Sequence, residues 1–239
     1  MQGSTQSLLR GPLERAQNIF SDFVISRQVL RVEEPLQTNR NQYKFQLKQG
    51  NSSTDGPLEN LLNDSDAFVI VGVRIYIKKQ DLTLDPAEFG NYELFSYPNK
   101  TEFDGTDGTN FEWRALMTIW NGKLSFRTGS LERMKPTDTN EYLFAPAEQD
   151  VGDNVSQFGG FSELNRGYVE QQPTLLLDGS QNNEFQLDLG SGSLDLIDGN
   201  EGGETPPTTR NVVGLMILGL NIANGAESAK RFAKSWGGQ

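Results

Sequence analysis

The sequence predicts an all-β fold, an antiparallel sandwich or barrel with short helices at its two ends. Three observations lead there. Apolar and polar residues alternate with period two along most of the chain, the segments between such runs are rich in Gly, Asp, Asn and Pro, and helical spacing of apolar residues appears only near the termini. No strand–helix alternation occurs, which excludes a doubly wound nucleotide fold. At 239 residues the chain is one large domain or two small ones.

Taken in order, Leu9, Leu13, Ala16 and Phe20 place one apolar stripe on a short N-terminal helix. Leu30 and Val32 then alternate with Val29, Arg31 and Glu33, and Tyr43, Phe45 and Leu47 with Lys44 and Gln46. The longest strand runs from Phe68 to Lys79, with Val73, Ile75 and Ile77 on one face and Arg74, Tyr76 and Lys78 on the other. Further strands are expected over Tyr92–Tyr97, Phe111–Trp120, Lys123–Thr128, Glu141–Phe144, Thr174–Leu177, Glu184–Leu189, Leu194–Ile197 and Val212–Ile222. Asn121-Gly122 predicts a type I′ hairpin between two of them. A C-terminal helix carries Ala229, Phe232, Ala233 and Trp236 on one side and Lys230, Arg231 and Lys234 on the other, and stops at Gly237-Gly238.

Two short segments echo one another across the chain. Asn41-Gln42-Tyr43-Lys44-Phe45-Gln46-Leu47 resembles Asn182-Asn183-Glu184-Phe185-Gln186-Leu187, and Val71-Gly72-Val73-Arg74-Ile75 resembles Leu218-Gly219-Leu220-Asn221-Ile222. The order is the same in both halves, as a duplication of one β unit would leave it, although short strands also resemble one another by composition alone. Duplication predicts four segments: residues 1–21 as a helical arm, 22–137 and 138–225 as two β units, and 226–239 as a basic helix.

Composition narrows the chemistry. The chain has no Cys and no His, which removes thiol nucleophiles, imidazole and thiolate metal sites, and every triad with a His base. The start, Met1-Gln2-Gly3-Ser4-Thr5, lacks the basic flank and apolar stretch of a signal peptide, and no run approaches the ~20 apolar residues of a membrane span. The net charge of −11 is uneven: residues 138–204 carry fourteen acidic groups against Arg166, whereas residues 205–239 are net basic. No basic run is long enough for general duplex binding, so specific nucleic-acid recognition is not expected.

Acidic loops supply the only metal candidates. Asp104, Asp107 and Asn110 in one loop, and Asp195 and Asp198 in another, offer the hard oxygens calcium prefers, though without helix–loop–helix spacing. The competing reading is that Asp and Gly serve turn geometry. Two carboxylates could also serve glycoside hydrolysis, but spacing in sequence does not give their separation. Trp113, Trp120 and Tyr97 suggest sugar stacking, against which stands their use as core. We expect no enzyme and no cofactor beyond a structural calcium.

One resemblance ties these elements together. Leu61-Leu62-Asn63-Asp64-Ser65-Asp66-Ala67-Phe68-Val69-Ile70-Val71 entering a long strand, then Leu94-Phe95-Ser96-Tyr97-Pro98, then Ile119-Trp120-Asn121-Gly122-Lys123-Leu124-Ser125-Phe126, resemble capsid proteins of tailless, membrane-containing icosahedral bacteriophages of the Flavobacterium type. The resemblance covers about residues 20–225 as a pattern of strands and turns. It implies a jelly-roll sandwich, as a compact double jelly roll or, alternatively, a single jelly roll with extra strands. It also implies a major capsid protein forming the icosahedral shell through homotrimers of pseudo-hexagonal outline. The alternatives are a penton protein or a receptor-binding, lectin-like module. Expected partners are further copies of the chain, other capsid or penton proteins, and an internal membrane or packaged genome near the termini. The expected location is the virion, assembled in the host cytoplasm. Arg10, Arg15, Lys230, Arg231 and Lys234 would then lie on the inner face of the shell, where anionic lipid or genome attracts them.

Overall fold

The computed structural model describes residues 5–37, 39–48, 60–81, 93–103, 112–144, 167–190 and 209–236. Eight strands in these residues form two antiparallel four-stranded sheets. They are β1 (Ile25–Pro35), β2 (Gln42–Gln46), β3 (Ala67–Asp81), β4 (Lys123–Thr128), β5 (Leu131–Asp138), β6 (Val169–Asp178), β7 (Asn183–Asp188) and β8 (Thr209–Ile222). The long sheet has the order β1-β8-β3-β6 and the short sheet β2-β7-β4-β5. Four helices accompany them: α1 (Thr5–Ile19), α2 (Lys100–Phe103), α3 (Glu112–Leu116) and α4 (Ala226–Trp236).

The pairing is nested. β1 pairs with β8, β2 with β7, β3 with β6 and β4 with β5, while β3–β8 and β4–β7 contacts complete the sheets. Strands from either side of the expected boundary at residue 138 therefore mix within both sheets, alternating throughout the long one, and the described strands make one pair of sheets instead of one pair for each half. The echoing segments are neighbours: Phe45 lies directly opposite Phe185, and Gly72 opposite Leu218. They look alike because strands paired in one sheet share the same surroundings and so carry similar patterns, which corrects their reading as equivalent positions in two units.

Burial follows the number of covered faces. The short strands show the alternation of a half-exposed sheet: Tyr43 and Phe45 of β2, and Leu124 and Phe126 of β4, point inward between exposed polar neighbours. β3 and β8 are buried almost continuously, since both faces are covered. The main core lies between the sheets and includes Leu30, Val32, Phe68, Ile75, Leu215 and Phe185. A second core on the outer side of the long sheet joins Val69, Val71, Leu218 and Leu220 to Leu9, Ala16 and Phe20 of the N-terminal arm and Ala229 of α4.

β3 carries one extra residue between Ile70 and Gly72 relative to β8, and at the same place its register against β6 shifts by three residues, the excess lying in β6. Before this bulge Phe68 and Ile70 face the main core and Val69 and Val71 face outward, whereas beyond it Val73, Ile75 and Ile77 face inward. One extra residue exchanges the parity of the two faces.

Several expected strands are different. Residues 112–121, expected as part of a strand, form α3 and a following 3-10 turn, Met117–Asn121. Gly122 is extended, so Asn121-Gly122 makes no type I′ hairpin; a side-chain carbon there would lie 2.5 Å from the Asp188 carbonyl oxygen, which is why glycine stands there. The hairpin next to it joins β4 to β5 through Gly129-Ser130, with φ 58° at Gly129. Glu141–Phe144 contributes to a 3-10 turn over Thr139–Tyr142, and from Tyr92–Tyr97 only Phe95 forms a bridge, to Ile77. Leu194–Ile197 lies outside the described residues.

Candidate functional site

Three strands of the long sheet bring the sequence-distant groups Arg31, Glu33, Arg74, Tyr76 and Lys78 onto its outer face. Glu33 of β1 and Tyr76 of β3 both stand opposite Gly214 of β8. Because Gly214 has no side chain, the Tyr76 ring lies across β8; a Cβ at residue 214 would fall 2.2 Å from Tyr76 Cζ. The phenol thereby donates to Glu33 Oε1 at 2.6 Å. The same oxygen accepts from Arg31 Nε at 2.9 Å and Nη2 at 2.6 Å, and Lys78 Nζ donates to Oε2 at 2.6 Å. Arg31 Nε also points at the Tyr76 oxygen, 2.9 Å away.

Electrostatics explain the protonation states. Burial opposes ionisation of the Glu33 carboxyl, but the hydrogen bond and charge of Lys78, with Tyr76 and Arg31, hold it below the ordinary carboxylate range. Burial, and then the charge of Glu33, push the Tyr76 phenol well above its usual value, so it remains a donor. Four donor groups converge on one carboxylate, an arrangement suited to clamping three strands. Arg74, one row nearer the helices, lacks such a partner among the described residues: its Nε is buried without an acceptor, and burial lowers its pKa.

The expected basic residues lie on the two terminal helices, which the second core brings to one face, with Phe20 and Phe232 packed edge to face at 6.0 Å. Arg10, Arg15, Lys230 and Arg231 are exposed; Arg10 pairs with Glu14 at 3.2 Å and Lys230 with Glu227 at 2.6 Å. Lys234 falls within α4, and its side chain lies outside the described set, as do Asp104, Asp107, Asn110, Asp195 and Asp198. Among the described residues no group of three or more acidic side chains gathers to hold a metal, and no helix is long and apolar enough to cross a membrane. Of the three rings considered for sugar stacking, Trp120 is core, and Tyr97 and Trp113 pack partly buried against it.

Sequence reading missed the Glu33 clamp as a site. Alternation placed Arg31 with Glu33, and Arg74 with Tyr76 and Lys78, each on the polar face of its strand. The signal overlooked was the length of β3, whose polar face carries a Tyr and a Lys that become fully buried. No family model matches this sequence, and no curated protein does either.

Proposed function

We propose that this chain is a structural protein of an icosahedral virion shell, built as a single jelly roll. The observation that carries the reading is the nested pairing of eight strands, one with eight, two with seven, three with six and four with five. A long hairpin rolled into two facing sheets produces this order, and the jelly roll recurs in viral capsid and lectin domains and in cupins. The absence of His from the sequence weighs against imidazole-based metal chemistry on such a scaffold. Burial of Trp120 in the core weighs against a stacking platform for sugars. A shell needs neither; it needs a rigid sandwich and surfaces that meet further copies of the chain.

With one pair of sheets among the described residues, the reading moves from trimers of double units to the single-jelly-roll alternative, in which symmetric rings of copies form the vertices or facets. The terminal helices, with Arg10, Arg15, Lys230 and Arg231 exposed, are assigned to the inner side, towards anionic lipid or genome. Light scattering behind size exclusion, followed by electron microscopy, tests the proposal. Rings of five or six copies, or closed shells, support it. A chain that stays monomeric at high concentration overturns it.

A further inference from the structure

Between the helix-covered rows and the Glu33 clamp, the outer face of the long sheet has a middle band whose side chains are half-buried. Its row is Arg31–Met216–Arg74, fixed by register, with Arg31 and Arg74 each opposite Met216. Met216 is half-buried at the centre of an otherwise apolar strand. Arg31 is committed to Glu33 and Tyr76. Arg74 is held differently. A side-chain carbon on Gly167 would lie 3.5 Å from Arg74 Nε and 3.7 Å from its Cδ, so the backbone at Gly167 lies against the end of the arginine stem. Its Nε is buried and meets no acceptor among the described residues. Its outer nitrogens are not among the buried unpartnered atoms, and the half-buried residue therefore presents that edge of the guanidinium at the surface.

We propose that Arg74, with Met216 beside it, receives a carboxylate from a second copy of this chain. A guanidinium whose stem is immobilised and whose outer edge is open offers two parallel donors to a carboxylate, with little conformational freedom left to lose on docking. Arginine, methionine and tyrosine are also the side chains enriched at protein contacts, and Tyr168 and Tyr76 are rings near Arg74. A partly desolvated cation without a counter-charge among the described residues is unfavourable, and docking of a carboxylate removes that penalty.

Charge complementarity selects the occupant. The chain carries −11 overall, with fourteen acidic groups between residues 138 and 204, whereas this face presents Arg74 and, on β1, the exposed Arg27. A second copy is thus the source of carboxylates present at the same concentration as the site. The inference does not rest on the shell reading, because a dimer would use the contact equally well.

The test compares the wild-type chain with Arg74→Met and Arg74→Lys by sedimentation velocity across a concentration series at low and high salt, with thermal unfolding in parallel. The expected result is salt-sensitive association of the wild type and at least tenfold weaker association of Arg74→Met. The Met variant should unfold at an unchanged or higher temperature, since its stem remains buried without the charge. Arg74→Lys, which keeps the charge and loses the fork, should fall between them. Association of Arg74→Met equal to wild type overturns the proposal while leaving a shell function intact. A wild type that never associates, or one that binds phosphatidylglycerol vesicles through Arg74 without self-association, also overturns it.

Discussion

The outer face of the long sheet is built from the same strands at both ends and is buried in opposite ways. At one end Val69, Val71, Leu218 and Leu220 lie beneath the two terminal helices. At the other Arg31, Glu33, Tyr76 and Lys78 form a hydrogen-bonded clamp, with Tyr76 and Lys78 fully buried. The apolar end is stabilised by removal of surface from water, which tolerates imprecise geometry. The clamp returns its desolvation cost only through good geometry, because each buried charge needs its partners. The join between these regimes coincides with the bulge in β3. By changing parity there, the bulge lets odd-numbered Ala67, Val69 and Val71 share an outer face with even-numbered Arg74, Tyr76 and Lys78.

The severest way to break this pairing of ends is to delete Ile75, beyond the bulge. Removing one residue there either turns Tyr76 and Lys78 between the sheets or, if the bulge is lost, turns Arg74 inward and Val73 outward. No cooperative unfolding transition should remain, as read by tryptophan fluorescence in urea. A deletion variant that still unfolds cooperatively would show that parity along β3 does not set the faces.

Next in size is Glu33→Ala, which strands Lys78 and Arg31 without their carboxylate and should cost about 3–5 kcal/mol in urea unfolding. Replacing Arg31, Glu33 and Lys78 together by Met, Leu and Met should come within about 1 kcal/mol of wild type, or exceed it. That contrast would establish that the clamp specifies geometry more than it adds stability. The pH dependence has a definite sign. The folded Glu33 carboxyl lies below its ordinary value of 4.5, so its contribution is complete above that value and is lost as pH falls through the folded pKa. Glu33→Gln should show a flatter stability profile than wild type over that acidic range.

Gly214→Ala tests how the clamp is reached. The added methyl would enter the Tyr76 ring, and displacing it should cost about 1–3 kcal/mol. In a Tyr76→Leu background the same substitution should cost measurably less, a coupling that a double-mutant cycle reads directly. Equal costs in both backgrounds would mean that the trough over Gly214 is not what seats the tyrosine.

The comparison also explains what the sequence could disclose. Period-two alternation suffices where one face is wet, so β4 was legible to its ends, Lys123 and Thr128. It fails where both faces are covered, because a continuous apolar run conceals parity; nothing local in Val69-Ile70-Val71-Gly72-Val73 marks the bulge. The stripe Leu9, Ala16 and Phe20 was legible because a lone amphipathic helix must dock, and these residues are buried. The segment Phe111–Trp120 was misread because its aromatic content suits a strand, while Leu116, Ile119 and Trp120 join the main core from a short helix and a 3-10 turn. β5 was missed altogether, since an edge strand with exposed Leu131 and Pro136 keeps a weak pattern. Of the clamp, the faces could be read but not the burial. That depends on Gly214 standing between Glu33 and Tyr76, a coincidence of register across three strands distant in sequence.

The smallest expected effect belongs to ion pairs at the helix-covered end. Arg10–Glu14 and Lys230–Glu227 have distances as short as those of many buried pairs, yet their side chains stand in solvent. Water and salt screen an exposed pair, and fixing two long side chains opposes what attraction remains. Proximity of Lys230 lowers the Glu227 carboxyl through a hydrogen bond, but that group is fully exposed and the shift carries no appreciable share of folding. Glu14→Gln and Glu227→Gln, singly or together, should therefore leave the thermal midpoint unchanged within error at low and at high salt. The same Glu-to-Gln change at residue 33 should lower it clearly at neutral pH. The chemical alteration is identical and only the surroundings differ, so a comparable loss at the helices would show that the covering of that end depends on charge as well as on its apolar rows.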